Sequence, residues 1–243
     1  MRVIVNGACG RMGRAVWERI GEEPDMIAVA GVDPHADESD PRLFLRFSDF
    51  DGEADMIIDF SDHRCTNMLT GYAILRGCPC VIATTGQSEE ELRLIESAAE
   101  RVPIFLSANT SLGVAMLAEF AHRAALLFPG AQAEIVETHH AQKRDAPSGT
   151  ALLLAKALKS GNGAEKIPIH SLRIGKCVGK HEIILSVGEE TITLTHEAHS
   201  RTLFAVGALA AARFLLGKPA GLYDVQSLIK EYENSNQRKL QTP

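Results

Sequence analysis

The chain has 243 residues, of which 45% are hydrophobic and 23% charged, with a formal net charge of −6. That length can bury a sizeable core in one large domain or two small ones. The negative balance, with no basic run beyond Arg238-Lys239, argues against a nucleic-acid or membrane-surface partner, and the longest apolar stretch, Leu203 to Ala212, is too short to span a bilayer.

Val3-Ile4-Val5 is continuously apolar, as a buried parallel strand requires. Met12, Ala15, Val16 and Ile20 then recur at helical spacing. Further strands are expected at Ile27 to Val32, Met56 to Phe60, Cys80 to Ala83 and Ile104 to Leu106, with helices from Arg64 to Arg76 and after Ser88, where Glu91 completes a capping-box pattern. Strands alternating with helices predict a Rossmann-like, doubly wound parallel sheet. The pattern changes near residue 109. A helix from Leu112 to Phe128, a strand from Ala133 to Thr138 and a helix from Gly149 lead to three runs that look antiparallel: Ser171 to Ile174, His181 to Val187 and Thr191 to His196. Gly188-Glu189-Glu190 suits a hairpin turn between the last two. The second half therefore reads as an α+β domain with an open mixed or antiparallel sheet and helices on one face. An open sheet has edges to cover, and self-association is one way to cover them. Helices from Thr202 to Leu216 and Val225 to Tyr232 close the chain, with fraying expected from Asn234.

The amino end runs directly into strand and turn, so no secretory leader is expected. Cys9, Cys65, Cys78, Cys80 and Cys177 are odd in number and irregularly spaced, and Cys78 and Cys80 would point to opposite faces of a strand. Reduced thiols, a reducing cytoplasmic compartment and no zinc are the expectation.

Two segments carry chemistry. Gly7-Ala8-Cys9-Gly10-Arg11-Met12-Gly13 follows the first strand and opens the first helix, a variant of the dinucleotide fingerprint. Glycine lets the backbone approach a pyrophosphate, which the helix N-terminus then stabilises. Asp33, 20 residues after Gly13, stands where an acidic residue would meet the ribose hydroxyls. A glycine-rich turn without a ligand and an ordinary loop carboxylate are the alternatives. The second segment is Glu137-Thr138-His139-His140-Ala141-Gln142-Lys143-Arg144-Asp145-Ala146-Pro147-Ser148-Gly149-Thr150-Ala151. Ser148 is placed to cap a helix whose start can receive a carboxylate, and His and Lys nearby can supply protons near neutral pH. The alternatives are a polar strand end and a solvated loop. Metal binding by His139 with His140 is not expected, because adjacent strand residues point apart.

His139-His140-x-x-Lys143-x-Asp145-Ala146-Pro147-Ser148-Gly149-Thr150-Ala151 resembles the signature of the 4-hydroxy-tetrahydrodipicolinate (dihydrodipicolinate) reductase family. The likeness extends through Ala83-Thr84-Thr85-Gly86, Ser107 to Val114, Gly179-Lys180-His181, His196 to Arg201, Phe204 to Ala208 and Gly217 to Tyr223, in family order. It implies an oxidoreductase of diaminopimelate and lysine biosynthesis that reduces its cyclic dicarboxylate to tetrahydrodipicolinate with NADH or NADPH. By resemblance, His139 and Lys143 share the proton-donor role, and His140, Gly149 and Thr150 hold the substrate. Gly7, Ala8, Cys9, Gly10, Arg11, Met12, Asp33, Ala83, Thr84, Thr85, Ser107, Ala108, Asn109 and Thr110 match cofactor-binding positions. A homotetramer is implied, with residues 1–108 as the dinucleotide-binding domain, helices in 217–243 packing back on it, and 109–216 as the substrate-binding and oligomerisation domain. Cys9 stands where many members have Gly or Ala. Pro34 follows Asp33 where some carry an Arg for a 2′-phosphate, so NADH is the expected preference unless Arg11 or His35 substitutes. Two other readings are an aspartate dehydrogenase-like amino-acid dehydrogenase and a non-catalytic NAD-binding module.

Overall fold

Because Val3, Ile4 and Val5 are apolar on both faces, their strand belongs inside a sheet covered on both sides, and β1 (Arg2–Asn6) lies there. The computed structural model describes residues 1–37, 39–163 and 165–241. β1 is flanked by β2 (Ile27–Val32) and β4 (Met56–Asp59); β3 (Leu43–Phe44) lies outside β2. Beyond β4 come β5 (Cys80–Ile82), β6 (Pro103–Leu106) and β11 (Gly221–Tyr223). Every pairing in this seven-stranded sheet is parallel. The chain first moves from β1 toward β3, then resumes at β4 on the other side. That reversal makes a topological switch point at the β1–β4 boundary.

Helices α1 (Arg11–Gly21), α2 (Thr66–Arg76) and α3 (Glu89–Ala99) connect these strands. Ile4, Ile57, Leu69, Ile82, Ile95 and Ile104 form one core between sheet and helices. At the head of α3, Ser88 accepts from the Glu91 amide and the Glu91 carboxylate accepts from the Ser88 amide, the expected capping box. Residues 64 and 65, expected to begin α2, instead sit in a short 3₁₀ turn. The two-residue β3 and three-residue β11 are too short to carry a periodic signal in sequence.

The chain divides into two compact units: Met1–Thr110 with Thr202–Pro243, and Ser111–Arg201. Helix α6 (Thr202–Leu215) groups with the first unit, whereas the sequence division at 216/217 places it in the second. Its Ala205, Ala208, Leu209, Ala211, Ala212 and Leu215 are all buried, and it packs on α1, β5 and β6. Residues 217–224 carry β11 rather than helix, and α7 (Val225–Gln241) continues beyond Tyr232, past the expected fraying point at Asn234.

In the second unit, α4 (Leu112–Leu127) leads to β7 (Gln132–His139), α5 (Gly149–Asn162), β8 (Ile169–Arg173), β9 (Gly179–Val187) and β10 (Glu190–Ala198). The sheet order is β10-β9-β7-β8. β9 pairs antiparallel with both β7 and β10, and Gly188-Glu189 forms the loop between paired Val187 and Glu190. β8 departs from the expectation. It runs parallel to β7, because α5 carries the chain back in a strand–helix–strand crossover. The sheet is thus mixed. Leu117, Ala121, Leu154, Leu158, Ile135, Ile183 and Leu185 form its core beneath α4 and α5.

Candidate active site

β7 alternates strictly: Ala133, Ile135, Glu137 and His139 face inward. A period of two therefore places a carboxylate and an imidazole side by side on the buried face. Glu137 is fully buried, 0% exposed, and His139 is 8% exposed. Glu137 Oε2 meets His139 Nδ1. Glu137 Oε1 accepts from Arg173 Nη2 at 2.7 Å and from the Ser148 amide at 3.3 Å. Arg173 ends β8 opposite His139, and its Nη2 also donates to the Asp145 carbonyl at 2.7 Å. Ser148 caps α5, its Oγ accepting from the Ala151 amide and lying 3.1 Å from His181 Nε2. The His139 and His181 rings meet edge to face, with centroids 5.2 Å apart.

Burial alone would raise the Glu137 carboxyl, but hydrogen bonds from Arg173, Ser171 and His139 outweigh it and hold it down to about 2. Burial lowers His139, against the pull of Glu137, and the charges of Lys143 and Arg173 add to the lowering. Burial and then the charge of His139 bring His181 down to about 4. Glu137, His139 and His181 place donor atoms within 4.8 Å of one another, a spacing found in metal centres. Both Glu137 oxygens are taken, however, by His139, Arg173 and Ser148, and a guanidinium already sits against the carboxylate. The arrangement is a buried, hydrogen-bonded network of ionisable groups.

The remaining residues of the signature fall nearby. Lys143 Nζ pairs with Asp145 at 2.8 Å, and the Lys143 amide donates to the His140 carbonyl. His140, one residue beyond the strand, contacts Arg201 Nη2 at 3.3 Å and stays out of the Glu137 network. The adjacent histidines thus have different partners. Gly149 and Thr150 form the first turn of α5, whose N-terminus suits a carboxylate. Glu137, Arg173 and His181 had no role assigned from sequence. The E-x-H spacing at the end of an alternating strand was the available signal for Glu137. Arg173 and His181 enter only through cross-strand register.

In the first unit, the cofactor candidates collect at the carboxyl ends of β1, β2, β5 and β6. Gly7 has φ +78°, and a Cβ there would stand 2.7 Å from the Phe60 carbonyl oxygen. Gly10 is the N-cap of α1, with no side chain capping it, followed by Arg11 and Met12 in the first turn. Ala8 is buried, and the Cys9 amide donates to Asp33 at 3.0 Å. Asp33, itself buried, also accepts from the His35 amide, so the acid after β2 is tied to the glycine loop. Burial and then Asp33 push the Cys9 thiol up, away from the reactive thiolate. Ala83, Thr84 and Thr85 follow β5; Ser107 to Thr110 follow β6, where Ser107 Oγ donates to the Asn109 carbonyl and Thr110 Oγ1 to that of Phe204. Beneath the loop, Asp59 accepts from Asn6 Nδ2 at 2.8 Å and Ser61 Oγ at 2.6 Å, a buried support absent from the sequence expectations.

Comparison with known proteins gives a consistent result. Family models described as "Dihydrodipicolinate reductase, N-terminus" and "Dihydrodipicolinate reductase, C-terminus" match residues 1–110 and 113–229. The 4-hydroxy-tetrahydrodipicolinate reductase of Caldanaerobacter subterraneus subsp. tengcongensis is 40% identical over 248 residues, covering 95% of this chain and 99% of that protein. The protein of the same name from Stenotrophomonas maltophilia (strain K279a) is 40% identical over 236 residues, covering 95% and 98%. Among solved structures, the dipicolinate-bound dihydrodipicolinate reductase of Paenisporosarcina sp. TG-14 superposes with a TM-score of 0.81 at 25% identity, covering 92% of this chain and 97% of that one. The chain belongs to the dihydrodipicolinate reductase family, oxidoreductases that reduce 4-hydroxy-tetrahydrodipicolinate to tetrahydrodipicolinate with NAD(P)H in diaminopimelate and lysine biosynthesis.

Proposed function

We propose that each unit supplies one half of this reduction, with NADH as the preferred cofactor and His139 with Lys143 as the source of the proton. The observation that carries the reading is Glu137. One buried carboxylate holds both the imidazole of His139 and the amide of Ser148 that opens α5, so proton donor and carboxylate-binding helix start form a single framework.

The first unit fits a dinucleotide. Gly7 and Gly10 leave room for a pyrophosphate against the uncapped start of α1. Asp33 offers a carboxylate for ribose hydroxyls and repels a 2′-phosphate, and Pro34 brings no compensating charge. Ala83 to Thr85 and Ser107 to Thr110 line the same strand ends. A bound NADH supplies the hydride. In the second unit, the dicarboxylate meets the first turn of α5 at Gly149 and Thr150, with His140 and Lys143 as polar partners. Lys143 leaves Asp145 to do so. His139, or Lys143 beside it, then protonates the reduced ring, a contribution of about 10²–10⁴-fold.

The dipicolinate carried by the Paenisporosarcina protein supports a cyclic dicarboxylate substrate here. The open sheet of the second unit, with Leu172 exposed on β8 and Ile174 exposed just beyond it, supports assembly as a homotetramer through that unit. No helix among the described residues is long and apolar enough to cross a membrane, and the five cysteines are unpaired; both support a cytoplasmic enzyme. The test is a coupled assay in which the synthase makes the substrate from pyruvate and aspartate semialdehyde while NADH absorbance is followed. Synthase-dependent NADH loss is expected. NADH binding without turnover would leave a non-catalytic module instead.

A further inference from the structure

We infer that Glu137 is a positioning residue for His139: it fixes the imidazole with a proton on Nδ1, so that Nε2 is the atom that gives up the transferable proton. The inference rests on the reading of His139 as proton donor. Its geometry is independent of that reading. Nδ1 is occupied by Glu137 Oε2, so only Nε2 remains for transfer. Arg173 Nη2 and the Ser148 amide hold the other carboxylate oxygen, which fixes the Glu137 rotamer. Gly179 supplies a second observation. Its backbone is not strained, yet a Cβ there would stand 3.0 Å from His139 Nε2 and 3.4 Å from Cδ2. Glycine at this point of β9 keeps the working nitrogen uncrowded.

The charged and titratable groups around His139 come from each neighbouring segment: Glu137 on β7, Arg173 on β8, His181 on β9 and Lys143 in the following loop. In the transfer step, the Nε2–H bond of the imidazolium breaks. A C–H bond forms at the enamine carbon, whose electron pair takes the proton. His139 is left neutral with Nδ1–H still donated to Glu137, which stays ionised throughout.

The test has two readouts. Two-bond ¹⁵N–¹H NMR of ¹⁵N-histidine-labelled protein without ligands, assigned with His139→Gln, reports which nitrogen is protonated in the neutral ring. Nδ1–H is expected in the wild type and loss of that preference in Glu137→Gln. In turnover, Glu137→Gln is expected to lower kcat roughly 10²-fold with the KM for NADH unchanged. The basic limb of its pH profile should move to lower pH, because the imidazolium has lost its anion. Gly179→Ala should slow turnover with the tautomer intact. An Nε2–H tautomer in the wild type, or an unmoved tautomer and pH profile in Glu137→Gln, overturns the inference. If Glu137→Gln does not fold, the wild-type spectrum still decides it. Full turnover by His139→Gln would remove the proton-donor reading alone, leaving the tautomer as the separate measure of Glu137.

Discussion

A carboxylate with no exposed surface is normally protonated, yet Glu137 is held near 2, and the groups that hold it are also those that shape the site. His181 shows the opposite case. It is buried neutral, its pKa lowered to about 4 by burial and then by His139. Between the ordinary histidine value of about 6.5 and about 4, the unfolded chain takes up a proton that the folded chain refuses. This contribution to stability is therefore full above about pH 6.5 and is lost as pH falls through that window. Urea unfolding should show stability falling between pH 7 and pH 4, with His181 accounting for at most roughly 3 kcal/mol. His181→Gln should be less acid-sensitive than the wild type. Equal acid sensitivity in both would show that His181 is not buried neutral. Glu137, with its pKa depressed, acts in a separate window: its contribution is lost only as pH falls from about 4.5 toward 2.

At the scale of elements, the glycine turn and strand β7 carry several of the candidate site residues. Gly7 needs both a positive φ and the space in front of Phe60. Gly7→Ala should cost about 1–3 kcal/mol in stability and abolish tight NADH binding, as read by thermal unfolding and a fluorescence titration. Unchanged binding would place the pyrophosphate elsewhere. The strand–helix alternation of the first unit was legible because buried parallel strands leave unbroken apolar runs such as Val3 to Val5 and Met56 to Ile58. β3 and β11 were not, since two or three residues hold no period. The orientation of β8 was missed because apolar alternation is the same in parallel and antiparallel strands; only the intervening α5 reveals the crossover. Among the candidate site residues, the Ser148 cap was readable from local spacing, whereas the roles proposed for His139 and Lys143 came from the family resemblance. Arg173 and His181 are far from Glu137 in sequence, and cross-strand register alone brings them together.

At the scale of the whole molecule, the proposed function assigns dinucleotide binding to one compact unit and proton transfer to the other. Cofactor choice belongs to the first. With Asp33 after β2 and Pro34 beside it, kcat/KM for NADH should exceed that for NADPH by roughly tenfold or more, about 1.4 kcal/mol. Asp33→Asn, which removes the charge but keeps an acceptor for only one of the Cys9 and His35 amides, should narrow the gap. A clear NADPH preference in the wild type would show that Arg11 or His35 binds the phosphate. The division itself is tested most directly by measuring NADH binding and turnover in His139→Gln beside the wild type. The expected result is a kcat lower by about 10²–10⁴-fold with the Kd for NADH nearly unchanged. Undiminished turnover, or equal loss of turnover and cofactor affinity, would contradict it.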